Sequence, residues 1–246
     1  MKITGIIPAR YNSSRFPGKP LVNINGKTMI RRVYEQCMKC PALNDVIVAT
    51  DDALIKAEVE SFGGVVVMTS PEHINGTERC NEVAQSLDSD VIINIQGDEP
   101  YIHPEQITLV AESFKNTEVQ ISSLAKLMES YEDLFTASII KVVFDRNYSA
   151  LYFSRNCIPH VRGVMEAEYL QYHNFYRHIG IYGYRKEILK QLVKLSPTTL
   201  EKAESLEQLR WLENGYKIHI SLTEHDSISI DTPEDLDKVQ EMNFKD

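Results

Sequence analysis

The chain carries no apolar run near the roughly 20 residues that span a bilayer, which excludes a transmembrane helix as its organising feature. Its beginning does not read as a secretory signal either, because the apolar stretch Ile3 to Ile7 is short and runs on to Arg10. Together these absences predict a cytoplasmic protein without membrane insertion. Positive charge is in deficit: 26 Lys and Arg stand against 35 Asp and Glu, a formal charge of -9. Nonspecific binding to nucleic acid, which draws its affinity from neutralising phosphates, is not expected, whereas one small anion in a local basic site is compatible. Cysteines number only 4, and Cys37-x-x-Cys40, a pattern open to redox activity or to half of a zinc site, has no second pair or nearby histidine at ligand spacing. Cys37 instead continues the stripe Ile30, Val33, Tyr34, which predicts packing against a core. Repeats, low-complexity segments and linkers are absent, so one compact unit is expected over residues 1–246. No Ser-His-Asp or Cys-His arrangement is evident, and no covalent enzyme intermediate is expected.

What the chain does contain is an alternation of strands and helices. Ile6-Ile7, Val46-Ile47-Val48, Val65-Val66-Val67 and Val91 to Ile95 are near-continuous apolar runs, the pattern of parallel strands covered on both faces. Helical periodicity over Thr28 to Lys39 and Glu78 to Leu87 supplies crossovers of the length that parallel neighbours require. The first half is therefore predicted to be an open α/β sheet with Rossmann-like topology.

In such sheets ligands gather beyond the carboxyl ends of the strands, and that is where this sequence places its unusual polar residues. The first strand ends in Pro8-Ala9-Arg10 and continues through Ser13, Ser14, Arg15, Gly18 and Lys19. Three fixed cations in one short loop repel each other and are stabilised by a polyanion such as a nucleoside triphosphate. The second strand ends in Thr50-Asp51-Asp52, the third leads to Asn75-Gly76-Thr77-Glu78-Arg79, and the fourth to Gln96-Gly97-Asp98-Glu99-Pro100. Asp98 is either a turn or capping aspartate or a ligand for a hard cation, and the neighbouring cations favour the second, since Mg²⁺ takes one or two carboxylates and completes its shell with phosphate oxygens. Asp231 offers a second carboxylate just before Thr232, a candidate N-cap, and Pro233 at a first helical position; it too could merely assist the cap. Asp51 and Asp52 are weaker candidates, because acidic pairs after strands often only start helices.

The second half changes character. Lys141 to Asp145, Ala150 to Arg155 and His178 to Arg185 read as strands rich in aromatic and β-branched residues, with an irregular stretch from Asn156 to Arg177 that suits a lid or a dimer contact. A helix over Thr198 to Gly215 is predicted, burying Leu206, Leu209 and Leu212 and leaving Glu207 and Gln208 off that stripe. Arg155 and His178 could meet an acidic substrate or serve only the fold.

Taken in order, Ile7-Pro8-Ala9-Arg10, Ser14-Arg15, Pro17 to Leu21, Ala49-Thr50-Asp51, Gly76 to Arg79, Gln96 to Pro100, Leu151 to Arg155, His178 to Tyr184, Leu206 to Arg210 and Asp231 to Leu236 closely resemble the motifs of the 3-deoxy-manno-octulosonate cytidylyltransferases (CMP-Kdo synthetases). Asn75 departs from the serine usual in that family, and the segment Asn156 to Arg177 is shorter than in many members. The resemblance implies a Rossmann-like nucleotidyltransferase fold with a mostly parallel sheet and a mixed sheet or lid extension. Residues 1–135 would mainly bind CTP, 136–230 would mainly bind sugar and form dimer contacts, and 231–246 would supply the metal aspartate and a closing helix. It further implies a Mg²⁺-dependent cytosolic homodimer that makes CMP-Kdo and pyrophosphate from CTP and Kdo for lipopolysaccharide biosynthesis. Ala9, Arg10, Ser14, Arg15, Lys19, Arg79, Gln96 and Asp98 would bind the nucleotide, and Asp98 and Asp231 the metal. Arg155, His178, Tyr182, Glu207 and Gln208 would form the sugar site, while Arg10, Lys19, Asp98 and Asp231 would carry the catalysis. Two other readings stay open: a cytidylyltransferase for another sugar acid, 8-amino-Kdo or sialic acid, and a nucleotide-binding protein without turnover.

Overall fold

A computed structural model describes residues 1–12 and 16–241. In chain order the elements are β1 (Ile3–Ala9), β2 (Asn23–Ile24), β3 (Lys27–Thr28), α1 (Met29–Met38), β4 (Asp45–Thr50), α2 (Ala53–Ser61), β5 (Val66–Met68), α3 (Gly76–Gln85), β6 (Val91–Asn94), α4 (Pro104–Ser113) and β7 (Ile121–Leu127). There follow α5 (Tyr131–Phe135), β8 (Lys141–Phe144), β9 (Ala150–Ser154), α6 (Tyr169–Tyr172), β10 (Tyr176–Arg185), α7 (Lys186–Leu192), α8 (Thr199–Glu204), α9 (Glu207–Glu213), β11 (Ile218–Leu222) and α10 (Pro233–Glu241). Nine strands form one sheet whose main path runs β11-β7-β10-β6-β1-β4-β5. β1 lies parallel to both β4 and β6, and β5 parallel to β4, which is the Rossmann-like half that the apolar runs predict. The mixed part begins at β10, antiparallel to β6 and to β7, and β8 and β9 extend it as an antiparallel pair beside β10.

Burial on both faces explains the apolar runs. Successive residues of a strand point to opposite sides, so Ile7 packs with Ile30, Val33 and Cys37 of α1, while Ile6 packs with Cys80 and Val83 of α3. Cys37 is fully buried, as the helical stripe requires, and burial raises its thiol pKa far above the ordinary range. On the α3 side Trp211 is 1 % exposed, with the rings of Tyr182 and Tyr184 meeting it edge-on at 5.1 and 5.5 Å. No helix among the described residues is long and apolar enough to cross a membrane.

Caps fix where the helices begin. The Asp52 carboxylate accepts the amides of Leu54 and Ile55 at 2.8 and 3.0 Å and so starts α2, the simpler of the two roles open to that aspartate. Thr28 and Asn75 cap α1 and α3 in the same way.

The predicted helix from Thr198 to Gly215 is two helices, broken at Ser205, whose φ of 52° is left-handed. The break is held from outside: Arg155 Nε donates to the Glu204 carbonyl at 2.7 Å and its Nη2 to the Ser205 carbonyl at 3.3 Å, taking acceptors that a continuous helix would have used. Because α9 starts afresh at Glu207, Gln208 is buried at 6 % exposure and Glu207 half-buried, not on a solvated face. The stretch from Asn156 to Arg177 likewise is not wholly irregular: it holds a 3-10 turn at Glu166–Glu168, the single turn of α6, and at its end the first residues of β10.

Candidate active site

Strands β1 and β6 end side by side, and there the backbone comes unusually close. A Cβ on Gly97 would stand 2.9 Å from the Pro8 carbonyl oxygen, a contact no side chain can occupy without moving main chain. This proximity lines a cavity of about 230 Å³ with Ala9 and Arg10 from β1 and its exit, Gln96, Gly97 and Asp98 from the β6 exit, and Asn75, Gly76 and Arg79 from the start of α3. Lys19, His73 and Asp231 complete its polar wall. Of the residues assigned from sequence to the nucleotide and metal, Ala9, Arg10, Lys19, Arg79, Gln96, Asp98 and Asp231 thus meet in one place. Ser14 and Arg15 lie outside the described residues.

At the centre the Lys19 ammonium donates to Asp98 Oδ2 at 2.7 Å and to Asp231 Oδ1 at 3.2 Å. Each partner arrives by a different local device. Gly18, at φ 73°, turns the chain while its amide bonds the Tyr11 carbonyl at 2.9 Å, which presents Lys19 inward. Asp98 follows the close approach at Gly97. Asp231 comes from far along the chain and is docked by the Ile230 amide, which donates to the Asp98 carbonyl at 2.9 Å. Behind it Asp235 accepts the amides of Asp231 and Thr232 at 3.1 and 3.0 Å, and Ile230 and Val239 bury against Ile24 and Met29.

Arg79 is 3 % exposed, held by Thr69 Oγ1 and by Asp51, whose Oδ1 lies 3.4 Å from Nη1. Asp51 therefore orients a cation of the wall. His73 is tied to Glu82. Gln96 reaches the other way, its Nε2 donating to the Gly180 carbonyl at 3.1 Å, where the pairing of β10 with β7 shifts register.

The residues assigned to a sugar do not line this cavity; they lie on the side where β10 and α9 meet. Ser123 Oγ donates to the Ile181 carbonyl at 2.8 Å, so the His178 Nε2–H donates to Ser123 at 2.9 Å and Nδ1 stays an acceptor. Burial lowers the His178 pKa to about 3, so the ring is neutral around pH 7. Tyr182 sits 5.3 Å from that ring, and burial, reinforced by Glu207, pushes its hydroxyl pKa well up, so it too stays protonated. Glu207 accepts from Asn75 Nδ2 at 3.0 Å and from Thr77 Oγ1 at 2.9 Å. Asn75 does two jobs: its Oδ1 accepts the Glu78 amide at 2.8 Å as the cap of α3, while its amide group ties that cap to α9. The pattern Asn-Gly-Thr-Glu carries the capping half of this arrangement in sequence; nothing local signals a partner 132 positions away. Arg155 faces elsewhere, all three of its guanidinium nitrogens donating to main-chain carbonyls of Ala137, Glu204 and Ser205.

Burial raises the Glu207 pKa from 4.5 to about 7, against the lowering effect of the Thr77 bond. A carboxyl whose folded value is raised contributes stability at low pH that is lost as pH climbs from its unfolded value through its folded one, here from about 4.5 to about 7. Glu207→Gln removes that loss. The melting temperature of the variant relative to the parent is therefore expected to rise between pH 5 and pH 8, measured by thermal unfolding at both; a pH-independent difference would contradict the burial of this carboxyl.

The order of the strands and the cavity at the carboxyl ends of the parallel ones define a nucleotidyltransferase fold. A 4-diphosphocytidyl-2C-methyl-D-erythritol synthase of Anaerococcus prevotii shares that fold at a TM-score of 0.65 and 13 % identity, over 98 % of this chain and 97 % of that one. Residues 4–218 match the cytidylyltransferase family, and the chain belongs to it. It is 54 % identical to a 3-deoxy-manno-octulosonate cytidylyltransferase of Parabacteroides distasonis, over 97 % of this chain and 96 % of the relative. To one of Cytophaga hutchinsonii it is 52 % identical, with 97 % and 96 % covered. A solved structure of CMP:2-keto-3-deoxy-manno-octonic acid synthetase complexed with CTP superposes at a TM-score of 0.92 with 38 % identity over 98 % of each chain.

Proposed function

We propose that the protein transfers CMP from CTP to the anomeric hydroxyl of Kdo, releasing pyrophosphate, and so activates Kdo for lipopolysaccharide assembly in the cytoplasm. The observation that carries this reading is the convergence of Lys19, Asp98 and Asp231 beside Arg10 and Arg79, in a chain similar throughout its length to a CTP-bound synthetase. The hydroxyl attacks the α-phosphorus in line and its proton passes to solvent, the new C–O–P bond forming as the bond from the α-phosphorus to the bridging oxygen of the β-phosphate breaks. Lys19 and Arg10 stabilise the negative charge that grows on the departing pyrophosphate. Arg79, already held by Asp51 and Thr69, needs little reordering to meet the nucleotide.

The donor set fits magnesium: Asp98 and Asp231 are hard oxygen ligands, close enough to share one ammonium, and partly exposed toward the cavity at 27 % and 34 %. Bound there with triphosphate, Mg²⁺ would supply charge neutralisation and polarisation of the phosphate oxygens. The sugar acid would lie beyond Gln96, with neutral His178 and Tyr182 as hydrogen-bonding groups and Glu207 and Gln208 on the opposite wall. Arg155 would act there by fixing the α8–α9 turn that presents those two residues.

Pyrophosphate release decides the reading, with each nucleoside triphosphate tested alone and with Kdo, 8-amino-Kdo or sialic acid. Release that requires both CTP and Kdo is expected. Release that is equal with another acid, or no acid-dependent release, overturns it.

A homodimer contact is proposed on the β8–β9 side, where Leu151 and Tyr172 are 62 % and 65 % exposed and an apolar groove runs past Phe144, Ile158 and Pro159. Leu151→Glu is expected to shift the sedimentation coefficient from dimer to monomer at micromolar concentration; an unchanged dimer would place the contact elsewhere.

A further inference from the structure

Away from the cavity, three side chains with metal-binding chemistry meet between the start of α4 and the loop after β11. His103, Glu105 and His225 each offer a ligand atom, all within 4.8 Å of one another. The two imidazole rings stack at 3.6 Å with 13° between their planes, and His225 Nε2 lies 2.7 Å from Glu105 Oε2. We propose that His103, Glu105 and His225 form a second, nitrogen-rich site for a transition-metal divalent cation of the zinc class, separate from the Asp98–Asp231 pair.

The argument begins with what holds the histidines together. Gln106 is fully buried, accepts the His103 amide on Oε1 at 3.0 Å and donates from Nε2 to the His225 carbonyl at 3.3 Å. One buried side chain thus fixes the backbones of two histidines that lie far apart in sequence, and the proximity of their rings is built in from below. Two imidazoles that both protonate in this position would repel, while two neutral rings and one carboxylate make a His₂Glu donor set of the kind that binds zinc with a fourth position left to water. Nitrogen donors select against magnesium, so the two sites differ in the ion they prefer.

Binding has a definable local cost. The stacked rings must turn against each other, because each nitrogen's lone pair lies in its own ring plane, and the proton between His225 and Glu105 must leave before the cation takes its place. His103 Nδ1 accepts the Glu105 amide at 3.3 Å, a long capping bond. Whichever nitrogen of His103 ligates, that bond is given up, because Nδ1 then either carries the ring proton or faces the cation. In return the cation would join α4 to the loop that leads from β11 to Asp231.

The test uses the intact Mg²⁺-loaded protein, titrated with Co²⁺ for its visible absorption and with Zn²⁺ by calorimetry. His103→Asn, which keeps a capping side chain, and His225→Asn are compared with the parent, and Asp98→Asn reports any cation taken by the other carboxylates. One equivalent bound by the parent and by Asp98→Asn, weakened at least about tenfold in each histidine variant, is expected. At a 100-fold excess over Kd the parent should also gain about 5 °C in Tm, a gain lost in both histidine variants. Affinity equal in the parent and the histidine variants, or no binding in the parent, overturns the site. So does binding lost only in Asp98→Asn. Melting curves without added metal show whether each variant is folded, and CMP transfer with Mg²⁺ alone should be unchanged in both histidine variants.

Discussion

Asp98→Asn is expected to lower kcat/KM for CTP by about 10²- to 10³-fold and to leave the fold intact. The reason lies in how the residue is held. Its carbonyl, not its carboxylate, accepts the Ile230 amide, so the substitution leaves the docking of the C-terminal segment in place. Lys19 loses its 2.7 Å partner but keeps Asp231 at 3.2 Å. What disappears is one of two anionic oxygens able to hold magnesium against the triphosphate; an amide oxygen remains but carries no charge. Pyrophosphate release measured across a magnesium titration, together with a melting curve, separates the possibilities. Near-parental turnover at saturating magnesium would remove Asp98 from the metal role, whereas a melting temperature several degrees lower would mean that the fold had been damaged.

Lys19→Met should act in two opposite directions. The ammonium occupies the space between the carboxylates and competes with any other cation for them, so its removal raises the local negative potential. Binding of Mg²⁺ alone should tighten, on the order of tenfold, while turnover of CTP falls by about 10²- to 10³-fold, because the charge that meets the leaving pyrophosphate is gone. Methionine preserves most of the stem, which is only 12 % exposed, so packing is little altered. Calorimetry with magnesium in the absence of nucleotide, set beside steady-state rates, checks both signs. A parallel loss of magnesium affinity and turnover would show that the lysine supports the carboxylates and does not compete for them.

Much of this centre is legible in the sequence because it depends on strand ends. Near-continuous apolar runs of this length, alternating with helical segments, read as covered strands, their carboxyl ends fix the rim, and Arg10, Gln96 and Asp98 follow. Asp231 was visible for a different reason: Asp-Thr-Pro marks a helix start, and the structure confirms the cap through Thr232 and Asp235. What stayed hidden depends on contacts between segments with no local signature. Asn75 caps α3, but its second bond, to Glu207, needs the packing of α3 against α9. The break at Ser205 has neither glycine nor proline to announce it and exists because Arg155 takes the carbonyls of Glu204 and Ser205. For the same reason the main-chain bonds of the Arg155 guanidinium have no local signature. His103 at a helix cap and His225 in a loop likewise share no local signature, and only the packing of Gln106 joins them.

The bond from the Ile230 amide to the Asp98 carbonyl has a consequence in time. Every strand of the large sheet has been synthesised by Leu222, yet Asp231 has not. A ribosome-bound or truncated chain can therefore own a complete sheet, with Arg10 and Arg79, the proposed nucleotide contacts, already made, without the paired carboxylates that the proposed transfer requires. Competence arrives last, when the C-terminal segment folds back onto the rim, so partial products of translation or proteolysis would be expected to hold nucleotide without consuming it.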